Sequence, residues 1–228
     1  MAATAKHYAF PRTLNGQVLV GGICWILTIV FFVGQAVAQV ASSAPYSLAD
    51  NEISDLGATT CGPLTVSTYH AYVCSPLHIV MNIAFVAVGV LSIIGAIATR
   101  SAWPQRRLTA WGLTFIAIMG IGEIISGLAP EDVNPTLHIV GALLGIPGAI
   151  IFLFLLAFAV WRARLWVGVF SLICGLVGLI GFLVMGIAPS IGLGVGVAER
   201  LAGYPGAVWT VVIGIFLVWS ATRRNITA

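Results

Sequence analysis

An all-α membrane protein is the fold class this sequence predicts: six transmembrane helices as three tandem helical hairpins, with both termini cytoplasmic. Three observations carry it. The chain of 228 residues is 60% hydrophobic and only 7% charged, against about 25% charged in a typical soluble domain. Its mean hydropathy is +1.07. Its apolar residues fall into six continuous runs, and about 20 such residues at 1.5 Å each cross roughly 30 Å of hydrocarbon. Hydrocarbon supplies no hydrogen-bond partners, so a span must be a helix or part of a closed barrel. The runs lack the strict alternation of a barrel strand, which selects helices.

The spans run over 17–40, 77–98, 109–128, 137–159, 165–187 and 202–221. Little chain is left outside them, so 1–228 forms a single transmembrane bundle whose largest connection is an outer loop, 41–76. The first run ends in "AVAQ", which resembles a signal cleavage site, but it is longer than the 7–15 residues of a signal core and is read as a retained helix.

Charge sets the orientation. Lys6 and Arg12 precede the first span, Arg100, Arg106 and Arg107 follow the second, Arg162 and Arg164 the fourth, and Arg223 and Arg224 the sixth. By the positive-inside rule these loops and both termini are cytoplasmic. Asp50, Glu52, Asp55, Glu131, Asp132 and Glu199 fall on the other side with a single basic residue, Arg200. The net charge of +3 hides this division and implies no nucleic-acid partner. Cys61 and Cys74 share the outer loop and suit a disulfide in an oxidising compartment, whereas Cys24 and Cys174 lie inside spans as small hydrophobes. "NIT" at Asn225 matches a glycosylation pattern on the cytoplasmic side and is set aside.

Internal repetition links the spans. "LHIV" opens the second and fourth, placing His78 and His138 60 residues apart. "SGLAPED" and "MGIAPS" end the third and fifth, and "GIPGA" at Gly145 returns as "GYPGA" at Gly203. Odd-numbered spans run outward and end in Ala-Pro, and even-numbered spans run inward. This is a parallel repeat, unlike the inverted repeats of many secondary transporters. Pro147 and Pro205 fall inside inward-running helices and should kink them. The plainer purpose is packing; the functional one is a bend that opens a cavity.

Several blocks carry a family likeness. "YSLADNEISDLGA", "SPLHIVMN", "LHIVGALL" and "GVAERL" resemble the conserved blocks of a bacterial multipass membrane family catalogued as domain of unknown function 998. The resemblance covers nearly the whole chain. It implies a small bacterial membrane protein and brings no established activity. The Cys61–Cys74 segment is longer than the family's usual link.

The candidate site residues are Ser54, Asp55, His78, Asn82, Glu123, His138, Glu199 and Arg200. Ser54 and Asp55 in "ISDLG" read as a pocket ligand or base, or more plainly as a turn cap with Gly57. Glu123 lies two turns inside the third span, where a carboxylate is costly and marks a functional site by default. Its counterpart in the repeat is Phe182, so symmetry does not demand it. Arg200, His78 or His138 could be its partner, and Ser126 shares its face. His78 and His138 with Asp55 or Glu123 would make a two-His, one-carboxylate set suited to zinc or iron. No compact metal motif supports that set, and no cofactor is predicted. The plainer reading of each His is an interfacial helix start. Asn82 is placed to bond across helices. Glu199 and Arg200 open the last helix; Arg200 reads as a bridge to an acidic neighbour or as an anion clamp.

The leading functional expectation is a bacterial inner-membrane protein with an outward-facing polar pocket, acting by binding as a lipid-interacting or accessory envelope component. Its partners would be membrane lipids, with other membrane subunits as a second class. The alternatives are a metal- or carboxylate-dependent hydrolase or transferase on outer-leaflet lipids, and a transporter. Almost purely apolar inner halves count against transport.

Overall fold

The structure, a computed structural model, describes residues 16–223. Lys6, Arg12, Arg224 and Asn225 lie outside the described residues. Among the described residues, six helices are long and apolar enough to cross a membrane: α1 (Gly16–Val40), α2 (His78–Ala98), α3 (Arg107–Leu128), α4 (Pro135–Val160), α5 (Leu165–Met185) and α6 (Val195–Arg223). Each packs against its neighbours in sequence, and α6 returns to α1, so the bundle closes as a ring. α4 and α6 also touch across the front of α5. Connections alternate between two ends. The long loop 41–76, which carries Asp50, Glu52 and Asp55, caps one. Arg100, Arg106, Arg107, Arg162 and Arg164 mark the other, the arginine end.

Lipid gives apolar side chains no reason to leave it, so close backbone contact and polar links must hold the ring. Glycines supply the contact. A Cβ on Gly122 of α3 would collide with the backbone of Gly141 and Gly145 of α4, and one on Gly89 of α2 with the backbone at Gly120 of α3. α1 breaks at Thr28–Ile29 into Gly16–Leu27 and Val30–Val40. There Thr28 Oγ1 lies 2.6 Å from the Trp25 carbonyl and 2.8 Å from Thr210 Oγ1 of α6. A hydroxyl bonded back to its own helix bends it, and the Thr210 contact fixes the bend to a neighbour.

Toward the arginine end the ring is filled by aromatics. Trp25, Trp209 and Phe152 are fully buried and Trp103 nearly so. Trp209 lies against Trp25 at 5.5 Å, Trp103 at 6.0 Å and Phe152 at 5.1 Å between ring centroids. Each indole N–H is satisfied: Trp25 by the Ser92 carbonyl, Trp103 by Thr99 Oγ1 and Trp209 by Ser171 Oγ.

The helix limits follow the sequence expectation except at α6. That helix begins at Val195, not at 202, so Glu199 and Arg200 sit inside it rather than opening it. The helix can continue past its apolar segment because the cap gives both side chains hydrogen-bond partners. Loop 41–76 also holds elements the hydropathy did not foretell: a 3-10 turn, Ser54–Gly57, and an antiparallel hairpin of β1 (Gly62–Val66) and β2 (Tyr69–Val73). A Cys61–Cys74 disulfide closes the hairpin's base. Pro147 and Pro205 lie inside unbroken helices.

Candidate functional site: a buried carboxyl cluster under the cap

Loop 41–76 is tied to two helices and to the connection between two others. On α2, Asn82 Nδ2 donates to the Gly57 carbonyl (2.9 Å), and Ser75 Oγ, just before the helix, donates to the Leu56 carbonyl (2.8 Å). A Cβ on Gly57 would meet Asn82 Oδ1, so the glycine leaves room for this amide. In the α3–α4 connection, Asp132 Oδ2 accepts from the amide and hydroxyl of both Thr59 and Thr60, all at 2.9–3.0 Å. On α6, Glu199 Oε2 accepts the Ile53 amide (2.5 Å) and the Val197 amide donates to the Ala49 carbonyl (3.0 Å).

These ties converge four acidic residues. Asp55 Oδ2 accepts from Tyr69 OH (2.6 Å) and Asn51 Nδ2 (2.8 Å). Glu131 Oε2 accepts from Ser54 Oγ (2.9 Å), which also reaches Glu52 Oε2 at 3.5 Å. Glu199 completes the set. Asp55 and Glu131 are each 2% exposed, and Asp55 Oδ1 and Glu131 Oε1 are buried with no donor among the described residues. The two carboxyls face one another and form a hydrogen bond once one of them carries a proton. Burial, foremost, pushes both up from the usual carboxylate range, and the charges of Asp55 and Glu52 push Glu131 further. Burial and then the Asp55 charge raise Glu52 to about 7. Two buried carboxyls in such contact titrate as a unit rather than singly. Tyr69 is raised by burial and by its bond to Asp55, which keeps its hydroxyl a donor. Burial also tends to raise Asp132, but the four bonds from Thr59 and Thr60 outweigh it and hold that carboxyl low.

Arg200 answers this acidity indirectly. Its NH1 donates to the carbonyls of Asn51 (2.8 Å) and Gly196 (2.9 Å), and its NH2 to Tyr46 OH (2.5 Å). Tyr46 OH in turn donates to the Glu52 carbonyl (2.9 Å). The guanidinium thus ties the loop to α6 through backbone and a phenol, rather than bridging to Glu123, Asp55 or Glu131 as charge balance suggested.

Of the sequence candidates, Ser54, Asp55, Asn82, Glu199 and Arg200 come together in the cap. The histidines do not join them. His78 Nδ1 pairs with the Ser75 carbonyl and His138 Nδ1 with the Ala129 carbonyl, each at 3.0 Å and each at its own helix start. No group of three His, Cys, Asp or Glu suited to a metal occurs among the described residues, so the set of His78, His138, Asp55 and Glu123 is not assembled. Glu123 stands apart as well. It lines a cavity inside the ring, about 7.5 Å below the end of α3 at 1.5 Å per residue. Sequence reasoning missed Tyr46, Asn51, Tyr69 and the central place of Glu131. The Glu131–Asp132 pair directly after Ala-Pro was the one available signal.

Six apolar helices closed into a ring under a polar cap define a multipass helical membrane protein. Its chain matches, over residues 26–215, the family described as "Protein of unknown function (DUF998)", and it belongs to that family. No curated protein and no solved structure matches it.

Proposed function

We propose that this protein acts by binding in the bacterial plasma membrane, as a lipid-interacting or accessory component of the envelope, with its cap outside and both termini in the cytoplasm. The observation that carries this reading is the cap itself. A loop tied to α2, to the α3–α4 connection and to α6 is a prebuilt recognition surface at the membrane edge, where lipid headgroups and other membrane subunits are the nearest partners. The Cys61–Cys74 disulfide supports an oxidising, external location, and the arginines of the opposite loops support a cytoplasmic one for that end.

The test is extraction into polymer nanodiscs followed by mass spectrometry of the retained lipid. The expected result is enrichment of one headgroup class over the bulk membrane, diminished by Asp132→Asn, which loosens the cap while leaving the ring intact. A retained lipid pool identical to the bulk would sink the reading. An enzyme acting on outer-leaflet lipids is the second reading, favoured by the Asp55–Glu131 pair as an acid–base couple. It requires a reaction that Asp55→Asn abolishes.

A further inference from the structure

Between the cap and the aromatic plug the helices line a partly open cavity of about 40 Å³. That exceeds the 10–15 Å³ one water needs, so the space admits two or three water-sized groups. The duplicated motif builds its walls: Gly145 and Ala149 of α4 and their repeat equivalents Gly203 and Ala207 of α6 all line it. A Cβ on Gly203 would meet nothing within 4 Å, and one on Gly145 would come 3.4 Å from Glu123 Oε1. Glycine at these positions therefore keeps space open around one carboxyl.

Two polar side chains in this space, Glu123 and Ser92, lack protein hydrogen-bond partners among the described residues. No protein donor among the described residues bonds the Glu123 carboxyl. Ser92, 0% exposed, lines the same cavity with its Oγ unpartnered. Thr210 Oγ1 is engaged by Thr28 Oγ1 and the Ala207 carbonyl. Among the described residues no other titratable group lines this cavity: α1 offers Phe31, α2 Val88 and Ser92, and α4 and α6 only small or apolar residues and Thr210. A carboxylate in such surroundings must be neutralised, and a single charge matches a single positive charge.

We propose that this cavity is a binding site for one small monovalent cation, of alkali-metal or ammonium class, held by Glu123 with Ser92 and water, and competing there with the proton. The site is distinct from the cap cluster and does not depend on the lipid reading above.

The test uses dicyclohexylcarbodiimide, an apolar reagent that adds a protonated carboxyl across its C=N bond, the oxygen going to carbon and the proton to nitrogen. The full chain in liposomes is treated at fixed pH in choline chloride, then with sodium, potassium or methylammonium chloride replacing choline. The adduct is located by peptide mass spectrometry. The expected result is modification of Glu123 that at least one of these cations slows several-fold, with the effective ion distinguishing a metal from an ammonium site. Ser92→Ala should weaken that protection several-fold. Labelling that no monovalent cation slows, or no labelling of Glu123 at any pH, overturns the proposal. Because the wild-type chain carries the primary readout, a variant that fails to fold does not decide the matter.

Discussion

The two ends of this bundle are held by different physics. The arginine end is packed: four aromatic rings interlock, and each indole N–H finds one oxygen. The cap end is bonded: a loop with little apolar mass is fixed by charge-assisted hydrogen bonds to Asp132, Glu199 and Arg200, and by the amide of Asn82. The first kind of order depends on shape and is indifferent to pH. The second depends on which carboxyls are ionised. One chain thus combines a permanent plug with a conditional cover, and the cavity at Glu123 lies between them.

The largest effect expected is at the plug. Trp209→Ala removes a fully buried indole that touches three other rings, and substitutions of this kind cost about 3–5 kcal/mol. Thermal or denaturant unfolding in detergent should show the loss, while amide exchange in loop 41–76 stays as in the wild type. Equal loosening of the cap would mean that the two ends are one cooperative unit. Reducing Cys61–Cys74, which are 13 residues apart, comes next. Closing a loop of about 15 residues contributes about 3 kcal/mol, so faster exchange is expected in β1 and β2 with global unfolding little changed. Asp132→Asn follows. It keeps the side chain's size but replaces charge-assisted bonds, each worth about 1.5–3 kcal/mol, by neutral ones near 1 kcal/mol. Exchange at Thr59 and Thr60 should rise without loss of the ring, and an unaltered rate would show that Asp132 does not hold the loop.

The same contrast explains what could be read from sequence. Helix number and spacing were legible because hydrocarbon enforces length and apolarity on every span, and the ends of α2 and α3 fell within two residues of expectation. The disulfide was legible because Cys61 and Cys74 were the cysteines outside the spans. The start of α6 was not, because Glu199 and Arg200 look like loop residues until their cap partners are known. Those partners, Ile53, Asn51 and Tyr46, lie about 150 residues earlier, a distance at which periodicity carries no information. The hairpin escaped for a different reason: five-residue strands leave only a weak alternating pattern. Glu123 lies five residues before the end of α3 and lines the cavity. A buried ion pair was one natural guess, and the cavity contains no cation donor. The repeat hinted at this, since "GxPGA" recurs where space is kept open.

The smallest and most diagnostic effect is the cap's response to pH. Glu52 is raised from 4.5 to about 7 in the folded chain, with Asp55 and Glu131 shifted in the same direction. A carboxyl whose folded value lies above its unfolded one contributes stability that is fully present below the unfolded value and is lost as pH rises through the folded value. These three therefore tighten the cap on acidification, with Glu52 acting between pH 4.5 and about 7. Asp132 is lowered below 3.8, so its contribution is present above that value and lost as pH falls through the folded one. The two trends oppose each other, and the cap should be tightest in mildly acidic solution. Exchange of the Ile53 and Thr59 amides, corrected for the intrinsic pH dependence of exchange, should be slowest there and faster on either side. Glu52→Gln should flatten the neutral limb and leave the acidic limb, which belongs to Asp132, in place. A profile in which Glu52→Gln changes nothing above pH 4.5 would assign the neutral limb to the Asp55–Glu131 proton alone, making that pair, rather than its neighbour, the group through which acidity is felt.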